Sequence, residues 1–405
     1  MSESFDLYQP EIIQNPYPMF GKMRREAPVH WNASVKGWFV TRYFDVRVVL
    51  RDPRFSVEKM APFAERVVGS KQEKVAFLSE FLGGWMVFKD PPAHTKLRQV
   101  LQGAFMPKPL AALRPKVEAI AAEVLDNLGD RTEIDLIADF GVALPATVIG
   151  DLCGVPRDKT FKLREWADDI AKFVLQGRTT PDRYDLSYNA LVECVAFYRQ
   201  LVADHRKNPQ DDLTTVMIDG GDIGKPLTDD EIVSTLVLIL FAGHETTTNL
   251  IANGMYALLQ HPDQMAKLEA DRSLVPSAVE EFLRFEGPAS TMVRIALEDV
   301  ELGGQQIKKG DRIFASVDAA GHDPDVFEGA EGIDITRRRN RHMAFGKGIH
   351  LCLGAPLARL EGQVAFEALF DRYTDFKLRG DTPEWRDELI TRGLHTLPIS
   401  MRRRP

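Results

Sequence analysis

The most apolar run in the chain, IVSTLVLILFAG over residues 232–243, stops at His244 and Glu245, and three threonines follow before apolar residues return. The whole stretch EIVSTLVLILFAGHETTTNLIANGMYALLQ is apolar on nearly every side, which predicts a deeply buried helix. The uninterrupted run is too short for a membrane span of about 20 residues. Period-3.6 spacing also marks RPKVEAIAAEVLDNL, and helix is the prevailing pattern from about 92 to 286. Strand patterns lie at both ends. PVHWNASVKGWFVTR places apolar runs on either side of Asn32 to Gly37, a hairpin signal. VRIALEDVELGGQQIKKGDRIFASV carries turns at Gly303-Gly304 and Lys309-Gly310.

With no repeat, low-complexity segment or Gly/Ser linker, one interwoven domain over 1–405 is expected. Its sheet-rich parts are about 25–45, 290–317 and 375–405, and its helical parts about 92–286 and 353–373. Composition changes this picture little. A content of 44% hydrophobic and 27% charged residues describes an ordinary globular chain. The net charge of −8 gives no global field for nucleic acid or an anionic membrane. The N-terminus MSESFDLYQPEIIQNPYP lacks a signal peptide's charged and apolar regions, so a cytoplasmic protein without a membrane anchor is expected. Three widely spaced cysteines fit a reducing compartment.

Cys153 and Cys194 read as core filler. Cys352 differs. In AFGKGIHLCLGAPLARLE it follows Gly346 and Gly348, and Pro356 opens a helix just after it. A sulfur before a helix N-terminus is favoured as a thiolate. A tyrosine-phosphatase nucleophile is excluded, since His350 stands two positions before the cysteine and Arg359 seven after it. A thiol protease needs a histidine partner, which the sequence leaves open. An axial iron ligand needs an anionic sulfur in a dry loop, and Phe345, Gly346, Gly348 and Leu351 supply that setting.

Phe345-Gly346-x-Gly348-x-His350-x-Cys352-Leu353-Gly354 resembles the haem-binding signature of cytochrome P450 enzymes at every fixed position. The resemblance implies that Cys352 ligates the iron of haem b, a thiolate that favours O–O cleavage. Phe345, Gly346, His350 and Gly354 would belong to the haem loop. AGHET resembles the family's oxygen-activation motif, with Glu245 relaying protons and Thr246 hydrogen-bonding the activated oxygen. A buried carboxylate there costs several kcal/mol in rough terms if unpartnered, and Thr hydroxyls can bond back to the helix and bend it. His94, Arg98, Arg294 and His350 match positions that bind haem propionates. Glu281 and Arg284 share a helix face, and by the resemblance they join Arg337 as a structural element. Two departures stand out: His322 replaces a common arginine, and arginines stand for prolines in RRRNRH.

The implied fold is mainly α with a smaller β region, a triangular domain with haem between two helices. The implied enzyme is a bacterial, monomeric monooxygenase that hydroxylates or epoxidises a hydrophobic small molecule, whether terpenoid, steroid, fatty acid or polyketide. O2 and a separate ferredoxin or flavodoxin with an NAD(P)H-dependent reductase would serve it. Arg337, Arg338, Arg339, Arg341 and Lys347 form a local basic cluster suited to an acidic carrier. Family position places Leu82, Trp85, Leu238, Phe241, Ala242, Ser290, Met292, Val293, Leu394 and His395 around the substrate. A peroxygenase using H2O2, a member catalysing rearrangement or dehydration, and a haem sensor are the alternatives.

Overall fold

The computed structural model describes residues 5–65, 67, 69, 71–175 and 180–404. Its central element is the helix Asp229–Gln260, 32 residues long. A reciprocal capping box starts it: the Thr228 hydroxyl accepts from the Glu231 amide, and the Glu231 carboxylate accepts from the Thr228 amide. The helix is buried on most sides, as its apolar pattern demands. Around it pack the helices Ala143–Leu152, Thr160–Val174, Arg183–Lys207, Val275–Phe285 and Ala355–Arg372. Among the described residues, no helix is long and apolar enough to cross a membrane.

The hairpin expected around Asn32 to Gly37 is β1 (Val29–Asn32) and β2 (Gly37–Val40), with Val29 opposite Val40. It enters a five-stranded sheet, completed by β3 (Phe55–Ser56), β5 (Thr291–Ala296) and β8 (Arg312–Ser316), in the order β1-β2-β8-β5-β3. Only the β2–β8 pair is parallel within it. The ends of the sequence thus share one sheet. β6 (Val300–Leu302) and β7 (Gln305–Ile307) form a separate hairpin. β4 (Glu133–Asp135), β9 (Tyr373–Leu378) and β10 (Pro398–Arg403) form a third sheet, ordered β4-β10-β9.

Two features depart from the sequence pattern. Helices also precede residue 92, at Tyr17–Glu26, Tyr43–Arg51 and Gln72–Gly83. A strand interrupts the helical stretch at 133–135; three residues are too short to display alternation, and the strand is defined by its partner in the tail.

Candidate active site

Cys352 lies between a tight loop and the 355–372 helix. The Cys352 amide donates to the Phe345 carbonyl at 2.9 Å, and the Gly346 amide to that of Met343 at 2.8 Å. Gly346 has φ +71° and Gly348 φ +74°, a region other residues rarely adopt. A side chain at Gly348 would also meet the Leu50 carbonyl at 2.9 Å, and one at Gly346 would press on Met292. Cys153 and Cys194 are buried, whereas Cys352 is exposed. Protein nonetheless crowds the Cys352 sulfur, and this burial pushes the thiol up, against the amides of Gly354 and Ala355 and the charges of Arg98 and Arg359. Access and crowding coexist where a side chain faces an inner surface. The helix N-terminus acts in the direction expected from sequence, but burial outweighs it; a coordinated metal ion deprotonates a thiol outright.

Four donors surround this loop with capacity to spare. His94 is buried on the Ala93–Gln102 helix, and neither of its ring nitrogens has a hydrogen-bond partner among the described residues. Its ring lies 4.3 Å from that of His350, whose Nε2 is likewise unpartnered. Arg98 Nη1 donates to the Leu351 carbonyl at 2.7 Å, tying the same helix to the cysteine loop. Arg294 on β5 is 7% exposed and reaches no carboxylate among the described residues; Nη1 donates to the Val293 carbonyl. Burial pulls Arg294 down to about 10, and burial with the His94 and Arg294 charges pulls His350 down to about 4. The charge of Asp90 reaches His94, Arg294 and His350, but its carboxylate bonds Ser56 and Val57, and among the described residues the cluster forms no ion pair with it.

On the 229–260 helix, the Thr246 hydroxyl donates to the Ala242 carbonyl at 2.7 Å. Ala242 is exposed although it sits amid the buried part of this helix. Glu245 is buried and accepts a 2.9 Å bond from Arg386. Burial, then Glu388, pushes the Glu245 carboxyl above its usual range, with Arg386 opposing. The neighbouring His244 is buried with both ring nitrogens unpartnered among the described residues, and burial draws it down to about 4.

Glu281, Arg284 and Arg337 are brought together. Arg284 Nη2 and Nε donate to Glu281 at 2.6 and 2.9 Å, and Arg337 Nε donates at 3.0 Å. Arg284 also caps the carbonyls of Gly321, Ala330 and Gly332. Arg337 is consumed here, so it leaves the basic cluster; Arg338, Arg339 and Arg341 remain exposed. His322 is buried, with its ring 4.1 Å from Tyr17.

The expected substrate wall divides. Phe241, Ala242 and Met292 are accessible, as is His395. Leu82, Trp85, Leu238 and Leu394 are instead buried core. Trp85 backs Phe241 at 5.2 Å and Phe88 at 6.0 Å between ring centres. Val293 packs with Leu7, Phe20, Phe39 and Phe314, because strand alternation turns it away from the face shared by Met292 and Arg294. Ser290 lines a different cleft, between the N-terminal residues and the 386–392 loop. Sequence reasoning missed Arg386, which is 141 residues from Glu245 with no local signal. It also missed Glu280, which accepts from Arg359 at 2.5 and 3.0 Å and from His342 at 3.1 Å.

The family model described as Cytochrome P450 matches residues 178–401. The chain belongs to the cytochrome P450 family. The polyketide biosynthesis cytochrome P450 PksS of Bacillus subtilis (strain 168) is 36% identical, over 96% of this chain and 97% of its own. The 6-deoxyerythronolide B hydroxylase of Saccharopolyspora erythraea is 35% identical, over 95% and 96%. The crystal structure of P450BioI with an acyl carrier protein ligated to hexadec-9Z-enoic acid matches with a TM-score of 0.90 and 32% identity, over 97% of this chain and 100% of that one. This P450 is accordingly an oxidoreductase with the P450 fold, and haem b is the usual cofactor of its family. The residues present fit that group: an accessible thiol beside histidines with unpartnered ring nitrogens and a buried arginine in no ion pair among the described residues is the donor set that iron and two carboxylates require.

Proposed function

We propose that residues 1–405 form one haem-thiolate monooxygenase domain in which Cys352 holds the iron, and His94, Arg98, Arg294 and His350 hold the haem carboxylates. The single observation that carries this reading is the cluster of two arginines and two histidines with unspent donor capacity around the cysteine loop. Phe345, Gly346 and Gly354 shape that loop; Glu281, Arg284 and Arg337 anchor the segment leading into it. Haem with a thiolate ligand supplies the activation of O2 toward insertion into an apolar C–H bond. The chain supplies the rest. Glu245 takes protons from the Arg386 side and passes them inward, which a carboxyl titrating above its usual range suits. The Thr246 hydroxyl, which donates to the Ala242 carbonyl, would exchange that bond to hold or pass a proton within the site. Phe241, Ala242 and Met292 present apolar surface to the substrate and keep water out.

The names of PksS and of the P450BioI complex support an acyl-derived substrate, a polyketide or a fatty acyl chain; matching structures of CYP109E1 with testosterone and with corticosterone support a steroid as the second reading. Electrons come from a separate ferredoxin or flavodoxin with its reductase, docked through Arg338, Arg339, Arg341 and Lys347. The test is the carbon monoxide difference spectrum of the reduced protein: the parent gives the red-shifted Soret band of a thiolate complex, and Cys352→Ser loses it. Persistence of that band in Cys352→Ser removes Cys352 as the ligand. Turnover with ferredoxin, reductase and NADPH, set against turnover with H2O2 alone, separates a monooxygenase from a peroxygenase.

A further inference from the structure

Lys59 sits between β3 and the short helix Met60–Ala64, half-buried, with its ammonium 5.0 Å over the Phe88 ring. It has no hydrogen bond or ion pair among the described residues. Burial, then the charges of Arg294 and Arg312, draws it down to about 8, so its surroundings are apolar and cationic. The nearby acids are spent. Asp90 accepts from the Ser56 hydroxyl at 2.5 Å and the Val57 amide at 3.3 Å, while Glu58 accepts from the Asp90 amide at 3.2 Å. Even half-burial of a lysine beside other cations and without an anion is costly, because part of the charge's hydration is lost with nothing to replace it.

What lies beyond Lys59 points to the missing anion. Phe88 stacks on buried Trp85 with an interplanar angle of 9°, and Trp85 holds Phe241 from behind. Phe88 and Phe241 are each partly accessible, and Val87 and Ala242 beside them are exposed. Phe241 lies on the 229–260 helix, just over one turn before Thr246. Ring contacts through Phe88, Trp85 and Phe241 therefore connect Lys59, a cation in no ion pair among the described residues, to the helix that carries Thr246. One fixed charge at the end of an apolar wall orients a ligand by its polar end. The carboxylates of haem have the same chemistry, but His94, Arg98, Arg294 and His350 already provide four groups for two of them.

We propose that Lys59 binds the carboxylate of an elongated hydrophobic acid whose chain lies over Phe88 and Phe241, presenting a distal carbon toward Thr246. This rests on the haem-thiolate reading above and narrows its substrate class to one with an anionic end.

The experiment titrates the holoenzyme with dodecanoic acid and with its methyl ester, by calorimetry and by the spin-state shift, in the parent, Lys59→Met and Lys59→Arg. The parent is expected to bind the acid at least about tenfold more tightly than the ester. Lys59→Met should abolish that preference by weakening the acid alone, and Lys59→Arg should keep it. Equal binding of acid and ester, binding of neither, or an unchanged preference in Lys59→Met each overturns the proposal. Haem loss to a scavenger protein is followed in parallel. Faster haem loss in Lys59→Met with the acid preference intact would assign the ammonium to a haem carboxylate instead. Loss of the red-shifted carbon monoxide band in the parent would sink the haem-thiolate reading, and calorimetry distinguishes that failure from a failure at Lys59.

Discussion

Arg386 donates to the Glu245 carboxylate at 2.9 Å, joining the C-terminal loop to the central helix. It also faces Asp168 on the 160–174 helix, whose carboxyl burial raises while Arg164 and then Arg386 oppose. Glu245 is thus held by one cation against burial and against Glu388. A carboxyl left without its nearby cation titrates higher, typically by about 1–3 units. Arg386→Met should therefore shift the rise of turnover with pH to more alkaline values, and Arg386→Lys should restore part of the parent profile. A parent-like pH profile in Arg386→Met would leave Arg386 with a packing role only. Glu245→Gln should slow turnover at every pH and flatten that limb.

Among the described residues Thr246 bonds back to the Ala242 carbonyl and to no side chain, and under the proposed function its hydroxyl would exchange that bond for one within the site. Removing the hydroxyl should not disturb the cysteine loop or the carboxylate donors. Thr246→Ala is expected to keep the parent spectrum and substrate affinity while NAD(P)H oxidation releases H2O2 instead of product. A tenfold loss of product per NAD(P)H corresponds to about 1.4 kcal/mol between the two fates. Coupling at the parent level in this variant, with its own substrate, would remove Thr246 from proton delivery.

Arg339 and Arg341 are exposed near the cysteine loop and carry no ion pair among the described residues. Opposite-charge steering acts on association rates and is screened by salt. Reversal of both to Glu should slow reduction by an acidic ferredoxin several-fold at low ionic strength, with the difference shrinking at high salt. Rates that match the parent at every salt concentration would place the docking surface elsewhere.

The cysteine loop and the central helix were legible in the sequence because their chemistry is local. Glycines at positive φ, a cysteine ahead of a helix and polar residues interrupting a buried run are all read within about 20 consecutive positions. The pairing of the two chain ends in one sheet was expected only in outline, since register depends on partners 250 and more residues apart. Trp85 and Val293 show what sequence position leaves open: family position sets both around the substrate and both are buried, because which face a residue turns depends on the element packed behind it. Arg386 and Lys59 carry no motif at all; their meaning comes from what the fold sets against them.

Glu280 closes a clamp on the same loop from the Val275–Phe285 helix. Its carboxylate accepts from Arg359 on the 355–372 helix and from His342 just before the loop. The His342 Nδ1 accepts in turn from the Ala344 amide, which leaves Nε2 as the donor to Glu280. Arg359 then lies 4.5 Å over the Phe345 ring, so the clamp fixes the aromatic residue of the signature. Burial works against the charged Glu280, yet the bonds from His342 and Arg359 prevail and hold its carboxyl at about 2. A carboxyl depressed on folding contributes stability that is present above its unfolded value and is lost as pH falls through the folded one. The window here runs from about pH 4.5 down to about 2. Glu280→Gln should unfold at a lower temperature than the parent at pH 7, and the difference should narrow steadily across that window. A gap that stayed constant from pH 7 to pH 2.5 would show that the charge of Glu280 contributes nothing, leaving shape alone to hold Phe345 in place.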